Sequence, residues 1–431
     1  MSSKTKQANC YSTPFEGEHS KAKRKVLYIH PISGTGGALI ALLRILDELD
    51  MTRFCYKVVC PNEGASYDLL TDRGFNATID RRIKSFSHHV CGWYSIKHIH
   101  RMVVNLAYIP ISAFFTYRIV RREKPNLVHL GSGALLGPAL GAKIARVPIV
   151  WHIREHLADG YLGIGKRIIA HYIDWLSDRI IAIRQSEAKR LKRSKNLIVI
   201  YDCVDFKEFD REIRGDTFRR EFKLTSNNKC VAMFGAVTPY KGTLQFVEAA
   251  IKILEEHKDM RFFVFGPIHY HKPPRGTFEA RVKLMVSSAF NKKAYEYYNN
   301  IKKLIPEDKQ DKITIFGNRR DVAQIVAGVD LVVSPYILPH SSLPIMEAGA
   351  MAKPVVASNW GEPDELVLNG ITGILVPPGD SAALARAIVE ILSCPERARK
   401  MGEEGYKRAK ELFNANKNMA KLARVYDEIL E

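Results

Sequence analysis

The residues best suited to chemistry lie in Ser334-Pro-Tyr-Ile-Leu-Pro-His-Ser-Ser-Leu-Pro-Ile-Met-Glu347. A strand ends near Ser334, a polar loop follows, and a helix starts around Leu343-Pro344, where proline's missing N–H costs nothing. A helix N-terminus attracts phosphate through its free N–H groups and its dipole. Glu347, placed on the first turn, could accept hydrogen bonds from two ribose hydroxyls. The alternative is an ordinary capped helix with an acid in its first turn. His152 in Trp151-His-Ile-Arg-Glu155 follows a buried strand. A lone histidine there is either a satisfied core residue or, at a strand's C-terminal end, a group facing a ligand crevice. The glycine loop Ser33-Gly-Thr-Gly-Gly37 is weak evidence alone, because it is not G-x-G-x-x-G.

These groups need a frame to hold them. Lys25-Val-Leu-Tyr-Ile-His30 reads as a buried strand, followed by the glycine loop and a helix with Leu39, Leu42, Leu43 and Leu46 on one face. That order opens a doubly wound α/β unit. Strands follow at 56–60, 127–130, 149–152, 180–183 and 197–201. The pattern restarts at Cys230–Gly235, with a helix over 243–255 and strands at 262–265, 313–316, 331–334, 354–357 and 373–376. Strands alternating with helices predict a mostly parallel sheet in each half. The charged stretch Asp205–Lys223 marks the junction. We expect a disordered tail over 1–24, one doubly wound domain over 25–205, a second over 206–410, and a further helix over 411–431. The stretch 267–310 is longer than one crossover helix requires. Its His269 and His271 lack a third ligand, so it reads as a solvated insertion.

The chain has 431 residues, 46% of them hydrophobic, which excludes a disordered chain and a small disulfide scaffold. The seven cysteines form no C-x-x-C pair and read as free thiols in a reducing compartment. The formal net charge is +19. Residues 1–205 hold 31 basic and 17 acidic side chains, and 206–431 hold 34 and 29. The first half therefore faces something anionic. No nucleic-acid-binding signature accompanies that charge, so nucleic acid is not expected as a partner. The N-terminus lacks the apolar stretch of a signal peptide. Met102–Tyr117 is apolar but shorter than a ~20-residue span. Lys97, Arg101, Arg118, Arg121 and Arg122 flank it. Two readings stand: a buried helix pair broken at Pro110, or a surface dipping into a membrane interface with its cations at the headgroups.

Several segments resemble the retaining glycosyltransferases of family 4. Leu343–Ser358, Gly361–Val367 and Gly373–Asp380 carry most of the likeness. Gly36-Gly37, Val199–Asp205 with Phe209, Phe234-Gly-Ala-Val-Thr-Pro-Tyr-Lys-Gly242, Phe316-Gly317 with Asp321-Val322, and Ala327–Pro335 add to it. The resemblance runs from about residue 25 to the C-terminus and is stronger in the second half. It implies the GT-B fold, two Rossmann-like domains facing across a donor cleft, with the acceptor bound by 25–205, the nucleotide-sugar by 206–410, and the helix over 411–431 packing back on the first domain. It also implies that Lys241 neutralises the nucleotide diphosphate, Glu347 holds the ribose, and the N–H groups of Ser341, Ser342 and Leu343 cradle the distal phosphate. Gly36, Gly37 and Gly235 shape donor-binding turns, and the loop Gly317-Asn318-Arg319-Arg320 lies against the base. His152 stands over the transferred sugar. In the family the acceptor attacks the face that the nucleotide leaves, and the leaving phosphate takes the proton. The protein then supplies positioning and charge.

Two positions depart from the family pattern. Pro339 stands where a glutamate usually contacts the sugar, and Ala236 where an arginine usually faces the diphosphate. Arg319 or Arg320 is a candidate replacement for that cation. The chain has no Asp-x-Asp, so metal independence is expected, with Lys241 and the helix dipole matching the diphosphate charge. The resulting expectation is a hexosyl-type glycosyltransferase moving a sugar from a UDP- or GDP-sugar to a glycan or polyprenyl-diphosphate-linked acceptor, in polysaccharide or glycolipid synthesis. No cofactor is expected. An anionic membrane is an expected partner, and the protein should be peripheral at the cytoplasmic face. The alternatives are another GT-B-like sugar-nucleotide enzyme, such as an epimerase, and a non-catalytic subunit that kept the fold.

Overall fold

The computed structural model describes residues 23–31, 34, 36–86, 99–157, 164–191, 196–268, 293–339, 342–360 and 365–431. They fall into two compact units. The first runs to Cys203 and takes in Ala415–Glu431, and the second is Val204–Asn414.

The first unit holds strands β1 (Arg24–Ile29), β2 (Phe54–Cys60), β3 (Ala77–Ile79), β4 (Leu127–Leu130), β5 (Ile149–Ile153), β6 (Arg179–Ala182) and β7 (Leu197–Val199). All pair in parallel, in the order β3-β2-β1-β4-β5-β6-β7. Parallel strands are covered on both faces, which is why β4 and β5 are buried along their whole length. Its helices are α1 (Gly37–Glu48), α2 (Ala65–Asp72), α3 (Ile99–Glu123), α4 (Leu136–Ile144), α5 (Ile164–Leu176) and α6 (Gln185–Arg190). Leu39, Leu42, Leu43 and Leu46 of α1 form one face of the core. Side chains of α3, α4 and α5 form the other with Trp151 and Ile153.

Strands β8 (Cys230–Phe234), β9 (Arg261–Phe265), β10 (Ile313–Phe316), β11 (Leu331–Ser334), β12 (Val355–Ser358) and β13 (Gly373–Val376) make the second sheet, in the order β10-β9-β8-β11-β12-β13. It too is parallel throughout. Its helices are α7 (Asp216–Glu221), α8 (Thr243–Glu256), α9 (293–304), α10 (Val322–Gly328), α11 (Leu343–Ala350), α12 (Ser381–Leu392) and α13 (Pro395–Leu412). A final helix, α14 (Ala415–Leu430), belongs to the first unit. There it adds Met419, Leu422, Val425 and Tyr426 to the core face that α1 lines.

The chain order reverses between β1 and β4 in one sheet and between β8 and β11 in the other. Ligands of open parallel sheets sit at such switch points, beyond the carboxyl ends of the strands.

Five sequence expectations are corrected. Arg24, placed in the tail, begins β1 and pairs with Phe54. The junction is not a featureless charged run, because Phe218 of α7 is buried and stacks edge-on with Phe263, ring centroids 5.2 Å apart. The terminal helix starts at Ala415, not 411, because Phe413 is buried in the second unit and its carbonyl accepts from Val204 N at 2.8 Å. Met102–Tyr117 is not a broken pair, since α3 passes Pro110 unbroken. Finally, 267–310 is not all solvated insertion. Ile301 of α9 and Ile305 just beyond it are buried in the core, and Tyr297 and Tyr298 pack against it. The physical reason is the crossover from β9 to β10, which must return over the sheet face with an apolar side. His269, His271 and the prolines at 273–274 lie outside the described residues.

Candidate functional site

At the switch point of the second sheet, three loops meet. Gly235, after β8, adopts φ +141°. A Cβ on Gly266, after β9, would collide with the Gly235 carbonyl. The short 3-10 turn Pro239–Lys241 ends at Gly242, whose φ of +72° is left-handed and whose Cα abuts the Pro335 carbonyl. Tyr240 O accepts from Ile337 N at 2.9 Å, tying this turn to the loop after β11. Only glycine fits both the dihedral and the approach at Gly242.

This packing aims Lys241. Its aliphatic stem passes Gly235, where a Cβ would stand 3.5 Å from Lys241 Cδ, and its Nζ lies 4.0 Å from the Tyr336 ring centroid. Among the described residues no carboxylate stands within ion-pair distance of that ammonium. The aromatic face steadies the cation without neutralising it.

Beside it begins α11, with Ser342 at its N-cap and Pro344 in the first turn. The Ser342 hydroxyl makes no capping bond. It pairs instead with Ser334 Oγ at 2.8 Å and donates to Tyr336 OH at 3.5 Å. A helix start whose cap hydroxyl is engaged elsewhere keeps first-turn N–H groups for an anion. Glu347 corrects the expectation of a first-turn position: α11 starts at Leu343, so Glu347 lies in the second turn, 8% exposed. Ser341 lies outside the described residues.

The remaining donor-side candidates separate. Gly317 and Asn318 are exposed after β10, the edge strand, with open space around the Gly317 Cα. Arg319 is corrected as a spare diphosphate cation. It bonds Glu221 Oε1 and Oε2 at 2.6 and 2.7 Å and Asp321 Oδ1 and Oδ2 at 2.8 and 2.7 Å. A guanidinium has five donors, and two carboxylates already use this fork. Arg320 is exposed.

In the first unit Gly36 is the N-cap of α1 and Gly37 its first residue. His152 is the penultimate residue of β5, 3% exposed. Burial first, then the Arg154 cation and His129, hold its imidazole well below the ordinary histidine range, so it is neutral at pH 7. His30, at the end of β1, is pushed down to about 3, mainly by burial. The sequence pointed to His152 but not to its neighbours. His129 lies 5.5 Å away between ring centroids, and Tyr28 stacks on His129 at 4.6 Å. His129 Nδ1 meets the Tyr426 hydroxyl of α14 at 2.5 Å. Glu155 accepts from the Ser132 hydroxyl and from Gly133 N at 2.9 Å, fixing the end of β5 to the loop after β4. The signal for these partners was the alternation of polar residues on one strand face, visible only once the register is known.

Family comparison fits both units. Residues 35–208 match the model described as Glycosyltransferase Family 4, and residues 215–408 match Glycosyl transferases group 1. The chain belongs to glycosyltransferase family 4. Among its relatives is the UDP-Gal:alpha-D-GlcNAc-diphosphoundecaprenol alpha-1,3-galactosyltransferase of Escherichia coli, 24% identical over 86% of this chain and 88% of that protein. The alpha-D-kanosaminyltransferase of Streptomyces kanamyceticus is 24% identical over 72% and 79%. In fold, this family 4 enzyme is similar to Anabaena HepE, solved with UDP and glucose, at a TM-score of 0.68 and 19% identity over 94% of this chain and 99% of that one. It is a glycosyltransferase of the GT-B class.

Glu347→Gln keeps the side chain's size and loses its charge and one acceptor site. Donor affinity should fall about tenfold, as for one charge-assisted hydrogen bond, with the melting temperature unchanged. Calorimetry with the donor checks it, and unchanged affinity removes Glu347 from the ribose site.

Proposed function

We propose that this transferase moves a sugar, with retention of configuration and without a metal, from a UDP- or GDP-sugar to a glycan or polyprenyl-diphosphate-linked acceptor. The observation that carries the reading is the pairing, at the switch point of the second sheet, of Lys241, whose ammonium meets no carboxylate among the described residues, with the start of α11, where the Ser342 hydroxyl makes no capping bond. Together they supply the positive potential that a nucleoside diphosphate leaving group needs. The relative that acts on a diphosphoundecaprenol-linked sugar supports the acceptor class. Gly317 and Asn318 then lie against the base, Glu347 holds the ribose, and His152 faces the transferred sugar. Thermal shift with a panel of UDP- and GDP-hexoses tests it. Binding to the folded state at 100 times Kd adds about 2.7 kcal/mol of stability. One base should stabilise the protein with and without a chelator. Absence of a shift with either base contradicts the reading.

A lipid-linked acceptor requires access to a membrane. On α3, Val104, Ile111 and Phe114 are exposed, Phe114 at 55%, and Arg118 and Arg121 continue the same stripe. Helix α4 lies between α3 and α5, and on α5 Ile164, Ile168 and Trp175 are exposed, Trp175 at 61%. Apolar side chains flanked by cations suit an anionic bilayer surface, where each cation adds ~1 kcal/mol. Co-sedimentation should show binding to anionic liposomes, weak binding to neutral ones, and partial release by high salt. Replacing Arg118, Arg121 and Arg122 with serine should reduce it. Equal recovery in the supernatant with and without anionic liposomes leaves the charge to a soluble partner.

A further inference from the structure

β5 directs alternate side chains to opposite faces of the sheet. Trp151 and Ile153 enter the core with α4 and α5. His152 and Arg154 point to the other side, where Tyr28, His129 and Tyr426 lie. Arg154 is itself buried, its side chain 6% exposed, and it forms an ion pair with Asp202 beyond β7, whose side chain is 10% exposed. A buried ion pair offers little net stability over apolar residues of similar volume. Its value lies in fixing the guanidinium in place.

That place is against His152. Arg154 Nη2 lies 3.3 Å from His152 Nδ1. A guanidinium only donates, so Nδ1 must offer its lone pair. The neutral ring then carries its proton on Nε2, and Nε2 is buried with no partner among the described residues. A buried N–H without an acceptor is a cost that a ligand oxygen would relieve.

We infer that Arg154, held by Asp202, is a positioning residue for the transfer reaction: it fixes His152 as the Nε2–H tautomer, a neutral hydrogen-bond donor that cannot act as a base through Nε2. The inference rests on the proposed role of His152 over the sugar. The other titratable groups around the pair are consistent with a neutral ring. His129 and Arg154 both disfavour a second proton on His152, and Glu155 is engaged by Ser132 and Gly133. Tyr28 and Tyr426 are buried phenols pushed up by burial, so they stay protonated. His30 is neutral as well.

The test is a double-mutant cycle on the full chain. Arg154→Met/Asp202→Leu removes both charges together, so no buried ion is stranded. Against the wild type it should lower kcat about tenfold, the coupling expected within one hydrogen-bond network, and change donor Kd less than about twofold. Placed on His152→Ala, it should cost almost nothing further. A full, additive loss on that background overturns the role of Arg154 alone. An unchanged kcat in His152→Ala overturns the role of His152, and the inference with it. If the charge-free variant does not fold, nitrogen NMR of the native protein labelled at histidine decides, with His152 assigned from the spectrum of His152→Gln. A proton on Nε2 and a bare Nδ1 at pH 7 support the inference, and a proton on Nδ1 overturns it.

Discussion

Replacing His152 by alanine is expected to lower kcat by about two to three orders of magnitude, the usual cost of removing one preorganised donor aimed at developing charge. Donor affinity should change far less, because the contact strengthens mainly in the transition state. The histidine is neutral and its Nε2 has no partner among the described residues, so it has a proton to share and no charge to lose near pH 7. The rate should therefore show no histidine titration between pH 6 and 8. Steady-state kinetics with direct donor-binding measurements separate the two effects. Equal losses in kcat and affinity, or no loss at all, return His152 to the core of β5.

Lys241→Ala should act on the other quantity. Its ammonium is steadied by the Tyr336 ring 4.0 Å away, whereas Arg319 is already bound to Glu221 and Asp321. With alanine at position 236, the proposed site leaves Lys241 and the helix dipole of α11 to meet the diphosphate charge. Removing a charge-assisted bond of ~1.5–3 kcal/mol raises donor Kd about 10- to 150-fold. Calorimetry with the nucleoside diphosphate alone should show nearly the same loss, since the proposed contact is to phosphate and not to sugar. An unchanged Kd assigns the diphosphate to other groups.

Much of this architecture was legible in the residues. Buried runs such as Leu127–Leu130 and Cys230–Phe234 fix strands, and the alternation with helices fixes parallel sheets. The turn from Gly235 to Gly242 was legible only through its likeness to the family, and the left-handed φ and close approach that require glycine at 242 emerge from the structure. Long-range pairing was not legible. Nothing local to Asp202 says that it meets Arg154, or that Tyr426 of the last helix reaches His129. Nor could Arg319 be judged available until Glu221, far off in sequence, was found beside it. The start of α11 at Leu343 was legible, and counting from it puts Glu347, four residues on, in the second turn and not the first.

The most direct measurement follows a labelled sugar from its nucleotide to a polyprenyl-diphosphate glycan in liposomes, with nucleoside diphosphate release counted in parallel. The account predicts that release depends on the acceptor, that one sugar appears in the lipid phase for each nucleotide freed, and that the new bond keeps the donor's anomeric configuration. Sugar that stays on its nucleotide, whether unchanged or epimerised, would contradict it.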